Sequence, residues 1–257
     1  MPLPLAGKAV LIVRPRQQAA GLAERMRAAG GEPVVFPSLE IEPLAPDAQA
    51  AQALAQLARF DLAVFVSANA VQHALPLVRQ AGGWPPRLTA AAVGPATAAA
   101  LRAQGIGQVL VPEAGADSEA LLALPQLQDM SGRQVVVFRG LGGRELLADT
   151  LRARGARVTY VECYRRTRPD IDATPVVQRL AAGRLQATLA VSAEALANLL
   201  ALMPAPARPA LLELPLVVSH ANVARAARAL GFPRVAVATG GEAELFQALL
   251  VVLGGPR

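Results

Sequence analysis

Residues 8–36, KAVLIVRPRQQAAGLAERMRAAGGEPVVF, and residues 133–161, RQVVVFRGLGGRELLADTLRARGARVTYV, decide how this chain folds. Both read strand, arginine, polar turn, amphipathic helix, glycine, strand. Arg14 falls on Arg139 and Gly30 on Gly155, each 125 residues apart. The same offset returns twice more. FDLAVFVSANAVQHAL, from Phe60, matches LQATLAVSAEALANLL, from Leu185, with Ser67 on Ser192. AAVGPATAAALRAQGI, from Ala91, matches LVVSHANVARAARALGF, with Gly94 on Ser219. Three pairs of segments, anchored at four matched positions in one register, make the chain a duplicated βα unit, the kind of self-similarity that settles a fold before any single motif does.

The elements have simple physical readings. LAVFV and ATLAV are unbroken apolar runs of strand length, as expected of strands buried on both faces. SANAV and SAEAL put a serine where a strand ends and a helix starts, a favoured N-cap. Gly30, Gly105, Gly155 and Gly231 each follow an Ala/Arg-rich helix, where a left-handed residue is wanted. Strands alternating with helices over short connections imply α/β architecture with doubly wound parallel sheets. FPSLEIEPLAP, after Val35, and VTYVECYRRTRP, after Arg157, instead alternate apolar and polar residues and carry prolines, which suits the ends of exposed strands. They read as linkers pairing as a two-stranded ribbon between two lobes of discontinuous sequence: residues 1–37 with 168–257, and residues 44–160, with linker strands at 38–43 and 161–167.

The 257 residues carry 25 basic and 19 acidic side chains, a net charge of +6, and more than half are hydrophobic while only 4% are aromatic. A core built from Ala, Leu and Val follows. Nucleic acid, an anionic membrane surface or a polyanionic small molecule could each answer the positive charge, as could general surface charge. No basic run dominates and no aromatics interleave for base stacking, so nucleic acid is not expected. The single cysteine, Cys163, excludes an intrachain disulfide and a cysteine-cluster metal site; with His73 and His220 the only histidines, neither zinc nor iron is expected. The start is no signal peptide, because Lys8 interrupts a short apolar run, and no long apolar stretch lacks charges or prolines. A cytoplasmic, monomeric protein that touches no membrane is the expectation.

In open α/β sheets ligands gather beyond the carboxyl ends of the strands, where helix N-termini hold carboxylates and phosphates. The turns to watch are Arg14-Pro15, Ser67-Ala68-Asn69, Gly94 to Thr97, Arg139 to Arg144 with Gly140 and Gly142, Ser192-Ala193, and Ser219 to Asn222 with His220. Should the lobes face one another, these turns line one cleft suited to a flexible molecule bearing many carboxylates. Each also has a plainer reading. Ser67, Thr97 and Ser192 serve as caps; RGLGGR is no complete phosphate fingerprint and reads equally as an ordinary turn; His220 is a general acid or simply a polar loop residue. No Ser-His-Asp order, HExxH or close carboxylate pair is present. Tyr164, on the return linker, packs a hinge or donates a phenolic proton to a departing hydroxyl.

Taken together, VLIVRPRQQAAGLAERMRAAGGEPVVFPSLEIEP, FVSANAV, AVGPATAAALRAQG, VVFRGLGGRELLADTLRARGARVTYVECYRR, VSAEAL and the closing glycine-rich stretch resemble the uroporphyrinogen-III synthases across nearly the whole chain. The resemblance rests on order and spacing. It implies two flavodoxin-like lobes joined by a two-stranded β ribbon, and a cofactor-free lyase acting on hydroxymethylbilane, an octacarboxylic acid. That activity expels the terminal hydroxyl as water, passes through a spiro intermediate and closes the ring with its last pyrrole inverted. Tyr164 then matches the proton donor to the hydroxyl, Thr97 a cleft threonine, and Ser67 and Ser192 the lobe-edge serines. One turn departs from the pattern: VVSHANVA carries Asn222 where a hydroxyl is expected, so His220 is left to share anion binding. A non-catalytic two-lobe anion sensor is the alternative, with a nucleotide-dependent transferase behind it.

Overall fold

Among the residues that the computed structural model describes, 3–238 and 240–254, eleven strands form two mainly parallel sheets. Thr239 and residues 255–257, at the end of the closing glycine-rich stretch, lie outside the described residues. The strands are β1 (Ala9–Val13), β2 (Glu32–Val35), β3 (Glu40–Pro43), β4 (Leu62–Phe65), β5 (Thr89–Ala92), β6 (Val109–Leu110), β7 (Gln134–Gly140), β8 (Arg157–Thr167), β9 (Ala187–Ala190), β10 (Leu216–Val218) and β11 (Val235–Val237). The chain divides into two units, Met1–Glu40 with Thr167–Arg257, and Ile41–Arg166.

The first unit holds the sheet β2-β1-β9-β10-β11, parallel at every pairing. In the second the order is β3-β8-β7-β4-β5-β6, with β8, β7, β4, β5 and β6 all parallel. Pairing each strand with its match 125 residues away gives both sheets the same order, since β7 stands for β1, β8 for β2 and β4 for β9. The repeat thus folds twice into one topology, with the second copy entered at a different strand.

Burial explains why the inner strands β1, β4 and β10 are apolar throughout. In β1, Ala9, Leu11 and Val13 join one core cluster and Val10 and Ile12 another, on the opposite face. The first cluster takes Leu196 and Leu199 from the helix Ala193–Leu202 and Val223 from Ala221–Ala229; the second takes Leu22 and Met26 from Arg16–Ala28 and Leu245 and Leu249 from Glu242–Gly254. β4 and β7 are covered in the same way by helices on both faces. A fully buried Val or Leu contributes roughly 1.5–3 kcal/mol, against about 1–2 kcal/mol of backbone entropy lost per residue. Strands this short are stable only because every side chain has a covered face. The helix Leu146–Ala153 stops at Gly155, whose φ of +92° only glycine adopts freely and whose Cβ, were there one, would sit 2.9 Å from Ser131 Cα.

The stretch 161–167 is the end of one continuous strand, β8, whose residues 161–164 also pair with β7. β3 lies along the other side of β8, and the Leu44 N–H donates to the Cys163 carbonyl at 3.0 Å. Pairing on both sides buries Val161, Cys163 and Tyr164, which the alternating sequence had marked as half exposed. Among the described residues no single helix is long and apolar enough to cross a membrane.

Candidate active site

The carboxyl ends of β4, β7 and β8 meet around Tyr164. Up to Glu162 the register of β8 on β7 is regular; then Gly140 faces Tyr164 rather than Cys163, a bulge of one residue. Before the bulge side chains alternate, so Val161 and Cys163 share one face; the bulge puts Tyr164 on that face beside Cys163. The ring is 1% exposed, and a Cβ on Gly140 would lie 2.6 Å from its Cε2 and Cζ atoms. The His73 ring stands 5.8 Å away, its pKa pulled below the ordinary value by burial, so at neutral pH it packs there uncharged. Cys163, on the same face, is no nucleophile: burial pushes its thiol up to about 12.

Ser67 begins the helix Ala68–Gln80 and accepts the Ala70 N–H at 3.1 Å, an N-cap. Its Oγ also lies 3.1 Å from the Tyr164 hydroxyl oxygen. Ala68 and Asn69 form the first turn of that helix. Tyr164, Arg139, Gly140 and Arg144 line a cavity of about 400 Å³, together with residues the sequence had not singled out, among them Asp117, Ser118 and Arg166. Arg166 could have been found, since it follows Tyr164 by two residues on one strand; its Cζ lies 6.0 Å from the Tyr164 ring centre. Thr97 is buried in the first turn of Pro95–Ala103 and does not line this cavity.

Arg139 is far from bare. Its Nη1 sits 2.8 Å from Glu145, its Nε 3.2 Å from Glu162 without hydrogen-bond geometry, and its guanidinium 4.2 Å from the Tyr160 ring centre. Burial alone pulls its pKa down; Glu145, Tyr160 and Glu162 outweigh that and the net shift is upward. The Gly142 N–H points to Glu162 at 3.4 Å, so RGLGGR is a turn pinned on the protein's own carboxylate. Arg144 is the open cation, 81% exposed and 4.0 Å from Glu119.

A pH effect follows. Glu145 accepts hydrogen bonds from the Tyr160 hydroxyl at 2.6 Å and from Arg139, and both hold its carboxyl below its ordinary value. A depressed folded pKa stabilises above the unfolded value and is lost as pH falls below it. Glu145→Gln is therefore expected to flatten the drop in Tm as pH falls below about 5. An unchanged acid slope would mean that the pair contributes nothing.

The remaining candidates stand at the carboxyl ends of β1, β9 and β10, in the other unit. Arg14 is largely buried and 3.5 Å from Glu242; burial lowers its pKa, with Glu242 opposing. Its Nε has no hydrogen-bond partner among the described residues. Ser192 caps Ala193–Leu202 through the Ala195 N–H at 3.4 Å, with Ala193 in the first turn. His220 occupies the N-cap position of Ala221–Ala229 but its side chain makes no cap, and Asn222 accepts from Arg225 at 2.8 Å.

The chain matches the family described as uroporphyrinogen-III synthase HemD over residues 20–245. It is 36% identical to the uroporphyrinogen-III synthase of Escherichia coli K12 over 231 residues, covering 89% of this chain and 94% of that one. The chain belongs to the uroporphyrinogen-III synthase family. It is an enzyme of the lyase class in tetrapyrrole biosynthesis. The fold agrees: a mutant uroporphyrinogen III synthase from Thermus thermophilus superposes with a TM-score of 0.63 at 22% identity, covering 96% of this chain and 98% of that one. The Helicobacter pylori uroporphyrinogen-III synthetase gives 0.59 at 14% identity, covering 94% and 98%. The non-catalytic sensor considered from the sequence finds no support among these relatives.

Proposed function

We propose that this enzyme takes hydroxymethylbilane as substrate and releases uroporphyrinogen III, with Tyr164 as the acid that frees the hydroxyl. The observation that carries the reading is the Tyr164 phenol, buried yet opening onto a cavity that arginines help to line; the cavity's other phenol, Tyr160, already donates its proton to Glu145. The terminal C–O bond breaks, oxygen keeps the electron pair, and the Tyr164 proton completes water. The azafulvene left behind is electrophilic enough to react with a pyrrole carbon unaided. Ring closure later expels a proton, which restores the phenol. No nucleophilic side chain is required, so the protein's task is to hold geometry and to assist departure. Arg144 and the N–H groups opening the helix Ala68–Gln80, other than that of Ala70, which the Ser67 cap takes, would hold carboxylates, and at this volume the cavity takes part of so large a substrate. Arg14 and Arg139, already paired with carboxylates, would act more by shaping the turns than by meeting the substrate directly.

We also read both units as flavodoxin-like, supported by the strand order 2-1-3-4-5 of the first sheet, which the second repeats in circularly permuted form, 5-4-1-2-3 without β3, and β3 with the end of β8 as the ribbon through which the chain passes between them. The same reading has the enzyme working as a monomer in the cytoplasm; sedimentation at twice the 26.6 kDa mass would contradict the first part.

Incubation with freshly made hydroxymethylbilane, in chelator and without nucleotide, is expected to give the type III isomer after oxidation. Type I product alone would end this reading. Because the substrate is a polyanion and salt screens charges over about 10 Å at 0.1 M, KM is expected to rise with salt. Arg144→Ala, at an exposed site worth ~1 kcal/mol or less, should raise KM a few-fold with kcat nearly intact. A loss beyond ~100-fold, far more than an exposed charge contributes, would give Arg144 a direct part in the chemistry.

A further inference from the structure

The two copies of the fold allow a structural role to be separated from a chemical one at Ser67. In one copy the Ser38 hydroxyl donates to the Ala195 carbonyl at 2.6 Å; in the other the Cys163 thiol faces the Ala70 carbonyl at 3.7 Å. Both residues of the first pair lie 125 positions from those of the second, so the duplication register holds at this site. By the same register Ser67 matches Ser192 and each caps its helix through the third residue on. Tyr164, however, matches Leu39, a buried apolar residue. Capping therefore needs no phenol, and the Ser67–Tyr164 pair is an addition in one copy alone.

We propose that Ser67 is a positioning residue that turns the Tyr164 proton toward the substrate. Ser67 Oγ receives the Ala70 N–H, so a lone pair faces the helix and the hydroxyl hydrogen is free to point elsewhere. The positive end of the 13-residue helix Ala68–Gln80 favours that orientation, oxygen inward and hydrogen outward. Outward lies the Tyr164 hydroxyl oxygen at 3.1 Å. Tyr164 thus accepts from Ser67, and its own hydrogen has to lie in another direction; the ring borders the cavity. As the phenol gives up its proton, the negative charge left on oxygen meets a hydrogen bond already in place, backed by the helix N-terminus. Nothing has to reorganise during the step.

This rests on the reading of Tyr164 as the acid, and the test separates the two. In a double-mutant cycle read at saturating hydroxymethylbilane, Ser67→Ala is expected to lower kcat about 10-fold, the scale of one hydrogen bond. In the Tyr164→Phe background the same change should alter kcat less than about twofold, because Ser67 acts through the phenol. Ser67→Asp supplies the control for folding. Aspartate caps helices well but only accepts, so it would draw the phenolic hydrogen away from the cavity. Its Tm should stay near wild type while kcat falls toward that of Tyr164→Phe. Ser67→Thr, which both caps and donates, should restore most of what Ser67→Ala loses. If the effects of Ser67→Ala and Tyr164→Phe multiply, or Ser67→Asp turns over like wild type, the positioning role is wrong while the acid role stands. If Tyr164→Phe keeps full kcat, the acid role falls and this inference with it.

Discussion

Tyr164→Phe is expected to lower kcat about 100-fold and leave KM within a few-fold, with the fold intact. General acid assistance is typically worth ~10²–10⁴-fold, and the lower end applies because the leaving hydroxyl departs from a carbon that ionises readily. The phenol acts on a bond that breaks only in the transition state, so the loss belongs in kcat. Removing one oxygen leaves the ring in its place in the buried cluster, near the His73 ring. Tyr164→Ala is a different experiment: it empties a fully buried ring site, at a cost of roughly 3–5 kcal/mol, and a loss of activity there says nothing about the proton. Single-turnover product formation by the Phe variant at the wild-type rate would reduce Tyr164 to a packing residue.

Gly140→Ala should be nearly as damaging, through one methyl group. Gly140 has an ordinary backbone conformation, so alanine is not excluded by φ. What excludes it is the ring 2.6 Å from the new Cβ. Neither backbone has room to retreat, because β7 and β8 are paired up to this point and the Leu141 N–H holds the Tyr164 carbonyl at 2.8 Å. The ring moves instead and gives up its contact with Ser67. Overpacking of this kind costs about 1–3 kcal/mol, so Tm should fall, and kcat should fall by about 100-fold, as for the lost phenol. Thermal melts and kcat on one preparation decide it; wild-type turnover in Gly140→Ala would show that the ring's position is not critical.

These two residues also mark where reading the sequence stops. The repeat register, the buried strands and the serine caps follow from patterns within a few residues of one another, and Ser67 and Ser192 cap as their positions suggest. The bulge at Arg139 and Gly140 does not, because nothing local announces an extra residue in a strand; it turns an expected linker tyrosine into a buried one. The arginines show a second limit. Arg14 reads as a cation awaiting a ligand, yet its partner Glu242 is 228 residues away. Arg139 has Glu145 six residues on, but the Glu162 that closes its other side comes from the next strand. Charge can be counted in a sequence, whereas neutralisation depends on the fold.

The placing of Ile41–Arg166 between the two pieces of the other unit has a consequence in time. β1 pairs with β9, and Gln186, just before β9, lies 177 residues after Ala9. At about 5–20 residues per second, β1 leaves the ribosome roughly ten to thirty seconds before β9, its partner on the side away from β2. Over the same interval every strand of the six-stranded sheet is made. The nascent chain therefore carries an apolar, unpaired strand edge while its inserted neighbour is already able to fold, which is the kind of exposure that invites association with chaperones or with other chains. A circular permutant beginning at Ile41 would deliver each sheet in one uninterrupted run.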